Sequence, residues 1–236
     1  LLARHLRLGW RGFTRLHRLH RGADGPAALR YRTAKGATFD LDPFSYIGHH
    51  VLREGFYESE VLTALREAVF PGAVVWDIGA NFGLHSVTLA RLHPQATVIA
   101  FEPNPHEHAR LLRHRAWNAP TLLTSTLALS DRTGTLPLHL GPEGNSGMTT
   151  LSPWSGAAYS GIVHCAVTTG DALVAAGTLP APHLIKLDVE GHEPQVLAGL
   201  SRTLASADCR LVVLEDHREQ DSPAKQLLRA AGFTLE

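Results

Sequence analysis

The segment from residue 74 to residue 83 reads Val74-Val75-Trp76-Asp77-Ile78-Gly79-Ala80-Asn81-Phe82-Gly83 and joins an apolar run to a glycine-rich turn. The apolar run is typical of a buried parallel strand, and the periodic stretch from Gly83 to Leu92 predicts a helix. Such a strand, turn and helix suit a nucleotide-like ligand, because small residues let the backbone approach it and the helix N-terminus offers free N–H groups. The segment therefore predicts an α/β domain with a cofactor site at the turn.

The spacing of this turn, Asp77-x-Gly79-x-x-x-Gly83, differs from the G-x-G-x-x-G pattern of dinucleotide-binding folds. A carboxylate at Asp77 is also unfavourable beside a pyrophosphate, because two negative groups would meet at low dielectric. It suits a cationic amino group or a sulfonium better. We therefore predict S-adenosylmethionine as the cofactor, and we disfavour the alternative of a nicotinamide-dependent oxidoreductase.

Strands and helices alternate on both sides of this segment, as in a parallel sheet flanked by helices. Upstream, the pattern predicts possible edge strands at 29–33 and 38–41 and a helix at 58–69. Downstream, it predicts strands at 97–101, 122–129, 184–189 and 211–215, with helices at 105–117, 193–204 and 223–231. Two further strands, at 134–140 and 162–168, are predicted around a Gly/Ser/Pro-rich excursion.

The composition is that of an ordinary globular domain. The 236 residues are 44% hydrophobic, which suffices for one sizeable core, and the formal net charge is zero, so no global field attracts nucleic acid. Cys165 and Cys209 have strand-like neighbours, which favours reduced, buried thiols in a reducing compartment. No apolar run approaches the roughly 20 residues of a membrane span, and the N-terminus lacks the layout of a secretory signal. We therefore expect a cytoplasmic protein.

Residues 1–22 carry arginines at spacings of three and four, which place them on one face of a helix: Arg4, Arg7, Arg11, Arg15, Arg18 and Arg21. Apolar side chains fall broadly on the opposite face. We favour a helix that packs this apolar face on the domain, and the alternative is peripheral contact with an anionic membrane or a partner. We predict that residues 1–36 form this helix and a linker, and that residues 37–236 form the main domain.

An acidic residue follows the second predicted strand, in Phe101-Glu102-Pro103-Asn104-Pro105. A carboxylate at this point of an α/β fold can accept hydrogen bonds from both hydroxyls of a ribose. The alternative is that Glu102 is a solvated cap of the next helix. Because the glycine turn lies about twenty residues upstream, we predict ribose binding.

The third predicted strand ends in Ala128-Leu129-Ser130-Asp131, where an adenine ring would lie. The backbone of residues 128–130 can contact the ring, with Leu129 packing on it and Ser130 beside it. The alternative is a Ser-Asp-x-x-Gly turn that leads into a hairpin, and both can hold at once.

A second dense cluster reads Ile185-Lys186-Leu187-Asp188-Val189-Glu190-Gly191-His192-Glu193. On a strand, Lys186, Asp188 and Glu190 share one face at the carboxyl edge, where ligands of α/β folds bind. Burying three ionisable groups is costly unless they are paired or used in function. A structural Lys–Asp ion pair with a helix cap is the alternative to a catalytic role.

Taken together, four ordered motifs resemble the FkbM family of methyltransferases: residues 77–83, 101–105, 129–131 and 185–193. The lead-in Glu54-Gly55-Phe56-Tyr57-Glu58 is similar to that family's approach to the first strand. The resemblance covers about residues 38–234. It implies a class I methyltransferase fold, a Rossmann-like three-layer sandwich with a mainly parallel sheet. It also implies, for many members, O-methylation of sugars or natural-product scaffolds.

The resemblance also implies roles for the residues of each motif. Asp77, Gly79, Asn81 and Gly83 would border the methionine part of the cofactor, Glu102 would hold the ribose, and Leu129 with Ser130 would hold the adenine. The residues that would face the transferred methyl are Lys186, Asp188, Glu190 and His192. The acceptor would be a small molecule or a glycan.

Methyl transfer to oxygen requires that the nucleophile be aligned and lose its proton. His192 is the candidate base, because an imidazole titrates near neutral pH. Asp188 can act as the base or orient it, and Lys186 can pair with Asp188 or hold a substrate anion. Asp188, Glu190 and His192 include residue types that bind metals, but we expect catalysis without a metal.

The excursion that begins at Gly141 is a candidate lid or acceptor-binding loop, because long loops over α/β sites carry specificity. Four of its side chains can hydrogen-bond to a sugar or stack on it: Asn145, Ser146, Thr149 and Trp154. The alternative is a disordered surface loop.

Two expectations concern the whole chain. The first is a rival function, in which the domain binds the cofactor without catalysis and is tethered by residues 1–22. The second concerns the ends: the chain starts without Met and stops at 233–236, just inside a predicted strand. We therefore expect a fragment that lacks the final two strands of the family's sheet.

Overall fold

The computed structural model describes residues 28–216 and 221–236. The basic helix predicted at residues 1–22 lies outside these residues. Within the described part of the chain, no helix has the length and apolarity that crossing a bilayer requires.

The chain alternates strands with helices, as predicted. The strands are β1 (Leu29–Arg32), β2 (Thr38–Leu41), β3 (Val74–Ile78), β4 (Thr97–Phe101), β5 (Leu123–Ser125), β6 (Ala128–Leu129), β7 (Gly134–Leu140), β8 (Gly161–Thr168), β9 (Leu184–Leu187) and β10 (Leu211–Leu214). The helices are α1 (Tyr46–Glu54), α2 (Ser59–Ala68), α3 (Leu84–Leu92), α4 (Pro105–Asn118), α5 (Gly170–Ala175), α6 (Glu193–Ala198), α7 (Ser201–Leu204) and α8 (Pro223–Ala230).

Five parallel strands form the central sheet, in the order β10-β9-β3-β4-β5. The chain reaches β3 first, runs outward through β4 and β5, and then returns to β9 on the other side of β3. This reversal at β3 creates the crevice at the carboxyl ends of the strands where α/β proteins bind ligands. The predicted Rossmann-like fold with a mainly parallel sheet is confirmed.

Helices cover both faces of the sheet and explain why its strands are apolar throughout. All five residues of β3 are buried, and alternate side chains enter different cores. Val75 packs in one core with side chains of α2, α3 and α4, whereas Trp76 packs in the other with side chains of α6 and α8. The fold is therefore a three-layer sandwich.

The remaining strands form two small sheets beside this core. β6, β8 and β7 lie side by side in that order, with β7 antiparallel to β8 over seven residue pairs. β1 and β2 form an antiparallel hairpin, which spans the boundary that we predict between residues 36 and 37.

Several predicted elements differ from the structure. The strand predicted at 122–129 is divided, because β5 pairs with β4 whereas β6 pairs with β8 in the other sheet. The helix predicted at 193–204 is two helices separated at Gly199, where an added Cβ would lie 2.0 Å from the carbonyl oxygen of Ser130. Residues 233–236, expected to begin a strand, form none. Helices α1 and α5 were not predicted.

Candidate active site

A cavity of about 580 Å³ lies at the carboxyl ends of β3, β4 and β9. Its floor is formed by the turns that follow these strands, and its roof by the excursion after β7. The volume lies within the range of sites that enclose a small molecule or cofactor. The reversal of strand order at β3 therefore coincides with a ligand-sized cavity.

The glycine turn after β3 is fixed against both neighbouring strands. The backbone N–H groups of Gly79 and Ala80 donate to the carbonyl of Phe101, at 3.1 and 2.9 Å. Gly79 has φ +83°, and an added Cβ would lie 1.8 Å from the carbonyl oxygen of Asp188. Only glycine fits at this point, because any side chain would collide with the backbone that follows β9.

Gly83, by contrast, does not line the cavity. It caps α3 with φ +86°, and an added Cβ would lie 2.3 Å from Cδ1 of Leu111 on α4. Its role in the structure is the close packing of α3 on α4. Of the turn residues predicted to contact the cofactor, Gly79 and Asn81 line the cavity.

Asp77 lies behind the cavity wall, and its neighbours are protein groups. One carboxylate oxygen accepts from the N–H of Ser86 at 3.1 Å, and the other lies 3.5 Å from Nζ of Lys186. The second oxygen has no hydrogen-bond partner among the described residues. The cation beside the carboxylate of Asp77 is therefore Lys186, and a contact of Asp77 with the cofactor stays a prediction.

Lys186 is buried and is surrounded by oxygen atoms. Its Nζ lies 3.0 Å from Oδ2 of Asp188 and 3.4 Å from the carbonyl oxygen of Gly79, in addition to its contact with Asp77. Burial opposes the charge on this lysine, but the carboxylates of Asp188 and Asp77 outweigh it and raise the pKa of Lys186 above its ordinary value. Lys186 is therefore a fixed cation that pairs with Asp188.

Asp188 lies between Lys186 and Glu215, the residue that follows β10. The two carboxyl groups of Asp188 and Glu215 are hydrogen-bonded to each other. Burial opposes ionisation of Asp188, but Lys186 and the hydrogen bond from Glu215 lower the pKa of Asp188 below its usual value. Burial and the neighbouring Asp188 raise the pKa of Glu215 to about 9.

Two further glutamates line the same end of the cavity. Burial, assisted by Asp188, raises the pKa of Glu190 to about 8, and burial raises the pKa of Glu58. Both residues have left-handed backbones, with φ of +56° and +51°. Non-glycine residues in this conformation concentrate at functional sites.

Glu58 and Glu215 were not predicted as site residues. Glu58 lies in the lead-in to β3, and Glu215 ends the strand predicted at 211–215. The register of β10 on β9 pairs Leu214 with Leu187, so that residue 215 lies at the same sheet edge as residue 188. The rule that the carboxyl ends of parallel strands meet at one edge would have identified Glu215.

Glu102 is buried at the end of β4, as expected of a ribose ligand. Its Oε2 accepts from the N–H of Asn81 at 2.6 Å, and its Oε1 accepts from the N–H of Asn104 at 2.8 Å. Burial nevertheless raises the pKa of Glu102 to about 8, against the effect of these two hydrogen bonds. Glu102 lines the cavity and is not a solvated helix cap, since the side chain of Asn104 caps α4 by accepting from the N–H of His106.

Leu129 and Ser130 have different surroundings. Leu129 lines the cavity, as predicted for a residue against an adenine. Ser130 is fully buried and is not among the described lining residues; its N–H donates to the carbonyl of Thr168, and its hydroxyl lies 3.0 Å from Nε2 of His192. The prediction that Ser130 borders the adenine is not supported by its side-chain contacts.

His192 is held at both ring nitrogens. Its Nδ1 lies 2.8 Å from the hydroxyl of Ser152, opposite the contact of Nε2 with Ser130. Burial lowers the pKa of His192 to about 4, so the ring is neutral at pH 7. His192 lines the cavity, and both of its ring nitrogens contact serine hydroxyls, so its role as the base stays a prediction.

The four side chains predicted to bind the acceptor all line the cavity: Asn145, Ser146, Thr149 and Trp154. They belong to a lid, which we define as residues 141–154. The hydroxyl of Ser146 lies 3.3 Å from Oδ1 of Asn81, and the indole of Trp154 packs on Gly191, where an added Cβ would lie 2.9 Å from Nε1.

Backbone and side-chain bonds tie the lid to the domain. The carbonyl of Gly144 accepts from the N–H of Tyr46 on α1 at 2.7 Å, and the hydroxyl of Thr150 donates to the carbonyl of Glu190 at 2.8 Å. The lid is thus part of the cavity wall rather than a disordered surface loop.

Asp188, Glu190 and His192 include residue types that bind metals. Among residues 28–216 and 221–236, no group of three or more His, Cys, Asp or Glu side chains is arranged to hold a metal ion. Both nitrogens of His192 contact serines, as described above.

The sheet and the site together define a class of protein. A Rossmann-like parallel sheet carries a glycine turn, a carboxylate one strand further on and a Lys–Asp pair at the edge of the next strand, all around one cavity. These are the features that the sequence motifs predicted for a methyltransferase of class I fold.

The family follows from comparison with known proteins. Residues 77–235 match the family model described as the methyltransferase FkbM domain, which is more than half of the chain. The chain belongs to this family and is a methyltransferase.

Three relatives are O-methyltransferases or sugar methyltransferases by name. The hexuronic acid methyltransferase AglP of Haloferax volcanii is 32% identical over 180 residues, which are 76% of this chain and 71% of that protein. The 2-O-methyltransferase NoeI of Sinorhizobium fredii is 28% identical over 57% of this chain and 60% of its own length. The 31-O-demethyl-FK506 methyltransferase FkbM of Streptomyces tacrolimicus is 29% identical over 70% of this chain and 74% of its own length.

Proposed function

We propose that the cavity binds S-adenosylmethionine and that the chain transfers its methyl group to a hydroxyl of a sugar or a natural-product scaffold. The observation that carries the proposal is the convergence of Gly79, Glu102 and the Lys186–Asp188 pair on one cavity of about 580 Å³. Gly79 and Glu102 follow β3 and β4, and the Lys186–Asp188 pair lies at the end of β9, so the register of the sheet brings them together.

The residues present fit this cofactor. Glu102 is a buried carboxylate whose oxygens already accept N–H groups, and their remaining lone pairs can accept ribose hydroxyls. Leu129 offers an apolar surface for the adenine, and Asn81 offers its side chain to the methionine part. The negative charge of Asp77 lies behind the cavity wall, where it pairs with Lys186.

The chain's own residues would then perform two tasks. Bound S-adenosylmethionine supplies an electrophilic sulfonium methyl. Asp188 accepts the proton of the acceptor hydroxyl, because it is anionic, lines the cavity and is fixed by Lys186 at 3.0 Å. His192 connects Ser152 of the lid to Ser130, which follows β6. Glu190 borders the acceptor end beneath Thr150.

The acceptor class is supported by the relatives and by the lid. Two relatives carry O-methylation in their names, and the third acts on a hexuronic acid. In this chain Asn145, Ser146 and Thr149 present polar groups to the cavity, and Trp154 presents a flat ring on which a sugar can stack. A small molecule or a glycan with free hydroxyls fits this wall.

Residues 37–236 would form the catalytic domain, and contact of residues 1–22 with a membrane stays a prediction.

Titration calorimetry with S-adenosylhomocysteine, and in parallel with NAD, tests the cofactor. We expect saturable heat with S-adenosylhomocysteine and none with NAD. Glu102→Gln should weaken binding by about tenfold or more, because an amide has one oxygen acceptor in place of the two oxygens of the carboxyl group. The matched control Glu60→Gln, on the outer part of α2, should bind as wild type. Heat with NAD and none with S-adenosylhomocysteine would sink the proposal.

A further inference from the structure

Two carboxyl groups are hydrogen-bonded to each other at the acceptor end of the cavity, those of Asp188 and Glu215. We infer that Glu215 is a protonated carboxylic acid that positions Asp188 as the anionic base of methyl transfer. The inference rests on the proposed function, in which Asp188 accepts the proton of the acceptor hydroxyl. Glu215 acts through Asp188 and is a positioning residue.

The proton must be shared within this pair, because a hydrogen bond between two carboxyl groups requires that one of them carries it. Asp188 already accepts a hydrogen bond from the ammonium group of Lys186 at 3.0 Å. The negative charge is therefore most stable on Asp188, and the proton belongs to Glu215. The opposite directions of the pKa shifts, downward for Asp188 and upward for Glu215, agree with this assignment.

Glu215 is placed for this role by the sheet. Its backbone N–H donates to the carbonyl of Leu187 at 3.1 Å, which continues the pairing of β10 with β9 beyond the last strand residue. Glu215 lines the main cavity and also a second cavity of about 250 Å³, and Asp188 lines both cavities as well.

Several titratable groups face this pair from the elements packed around it. They are Lys186 on β9, Glu190 in the turn after β9, Tyr57 and Glu58 before α2, Glu60 on α2, His85 on α3 and Asp216 beside Glu215. The negative charge of Asp188 opposes ionisation of Glu215, as do those of Glu58 and Glu190 when they are ionised. Loss of the proton from Glu215 would place two adjacent anions at the base, and the hydrogen bond that holds Asp188 would disappear.

This arrangement predicts that turnover falls at alkaline pH as Glu215 ionises. Glu215→Gln keeps the shape and a donor N–H toward Asp188 but cannot ionise. We expect it to retain at least about half of the wild-type kcat at pH 7.5 and to lose the alkaline decline that Glu215 causes. Glu215→Ala removes the donor and should lower kcat by about 10- to 100-fold, because a misplaced catalytic group costs factors of this size.

The experiment is the pH profile of kcat at saturating S-adenosylmethionine for the wild type, both Glu215 variants and the control Glu60→Gln. Glu60 lines only the second cavity and should leave the profile unchanged. Thermal unfolding of each variant checks that it is folded. The inference is overturned if Glu215→Gln is as defective as Glu215→Ala, if it keeps the wild-type alkaline decline, or if folded Glu215→Ala turns over normally.

A second measurement separates this inference from the proposed function. The infrared difference spectrum of wild type minus Glu215→Gln at pH 7 should contain the C=O stretch of a protonated carboxylic acid, whether or not methyl transfer is detected. Absence of that band would show that Glu215 is ionised and would refute the inference. Failure of the proposed function is registered separately, as absence of S-adenosylhomocysteine binding to the wild type.

Discussion

Lys186 is the residue on which the electrostatics of the site depend. Among the described residues that line the cavity it is the one lysine or arginine, and its ammonium group lies within 3.5 Å of carboxylates on β3 and after β9. A buried ion pair of this kind adds little to the free energy of unfolding. Removing one partner is nevertheless destabilising, because the other charge is then buried without compensation. The pair therefore holds Asp188 in an ionised form in the cavity.

The first prediction separates Asp188 from His192 as the base. Asp188→Asn should lower kcat by about 100-fold or more, because general base catalysis contributes about 10²- to 10⁴-fold. His192→Ala should lower kcat much less and should mainly loosen the lid, since its ring contacts Ser152 and Ser130. Steady-state kinetics measure kcat for both variants. Binding of S-adenosylhomocysteine in a separate experiment checks that each variant is folded. Near-normal turnover in Asp188→Asn would refute this assignment of the base.

At the level of single residues, the sequence predicted identity better than orientation. The motifs located Gly79, Glu102 and Asp188 at the cavity before any coordinates were considered. They did not predict that Lys186 lies beside Asp77, because only the three-dimensional structure brings these two side chains together. They predicted His192 as the base without its contacts to Ser152 and Ser130, because nothing in the linear sequence connects these residues, and that role stays a prediction.

The lid lines the cavity at the end where we propose that the acceptor binds. The second prediction concerns its bond to the turn after β9, which is donated by the hydroxyl of Thr150 to the carbonyl of Glu190. Thr150→Val keeps the shape and removes this bond, so the Michaelis constant for the acceptor should rise several-fold while affinity for S-adenosylhomocysteine is unchanged. Thr135→Val, at an exposed position of β7, is the matched control. An unchanged acceptor constant would contradict the assignment of residues 141–154 as the lid.

The third prediction concerns the packing of α3 on α4. Gly83 and Gly72 have nearly the same backbone, with φ of +86° and +83°, but an added Cβ collides with Leu111 at Gly83 and meets nothing within 4 Å at Gly72. Gly72→Ala should therefore cost only the conformational penalty, about 1–2 kcal/mol. Gly83→Ala should cost about 1–3 kcal/mol more, because the overlap must be relieved. Urea unfolding of the two variants measures the difference, and equal losses would show that overlap at Leu111 does not matter.

Elements with a strong period were predictable, and elements defined by tertiary contacts were not. The bounds of β4 match the prediction, because a short apolar run between two turns indicates a buried strand from local sequence alone. Helix α1 was missed because Gly48 interrupts its pattern, although an added Cβ there would lie 2.0 Å from the carbonyl oxygen of Asp42. The division of residues 122–129 into β5 and β6 depends on pairing with two different sheets, which local sequence does not encode.

The described part of the chain contains buried glutamates and buried histidines with shifted pKa values. These shifts make the free energy of unfolding depend on pH in a defined way. Burial raises the pKa values of Glu102, Glu190 and Glu215 to about 8–9, above the ordinary 4.5. Burial lowers the pKa values of His85 and His114, and that of His192, to about 4 from 6.5. Between pH 4.5 and about 8 these glutamates are protonated in the folded state but ionised in the unfolded chain. Between pH 4 and 6.5 these histidines are neutral in the folded state but protonated in the unfolded chain.

The fourth prediction follows from the signs of these shifts. The stability that the glutamates contribute is complete below pH 4.5 and is lost as pH rises through 8–9, whereas the histidine contribution is complete above pH 6.5 and is lost as pH falls through 4. The two opposing trends overlap between pH 4.5 and 6.5, so the free energy of unfolding should decline from pH 6.5 to pH 9. Glu102 alone should account for about 2 kcal/mol of this decline. Urea unfolding at pH 6.5 and at pH 9 measures this decline, which should be smaller in Glu102→Gln. A free energy of unfolding that rises toward pH 9 would contradict the raised pKa values of the glutamates.

At the scale of the molecule, the site is assembled from segments far apart in sequence. Glu58, Gly79, Glu102, Asp188 and Glu215 come from five segments, and parallel register places them around one cavity. The sequence predicted the class of fold and the four motifs. It did not predict that Glu58 and Glu215 join them, because that depends on which strand lies beside which.

The central claim is transfer of a methyl group from S-adenosylmethionine to a hydroxyl. The most direct measurement incubates the chain with methyl-labelled S-adenosylmethionine and a panel of glycans, lipids and small hydroxylated metabolites, and determines the labelled position by nuclear magnetic resonance. We predict label in an O-methyl ether of a sugar or natural-product acceptor, with one equivalent of S-adenosylhomocysteine formed and with both products lost in Asp188→Asn. Label found on nitrogen or carbon, or binding of S-adenosylmethionine without transfer to any hydroxyl in the panel, would contradict the account.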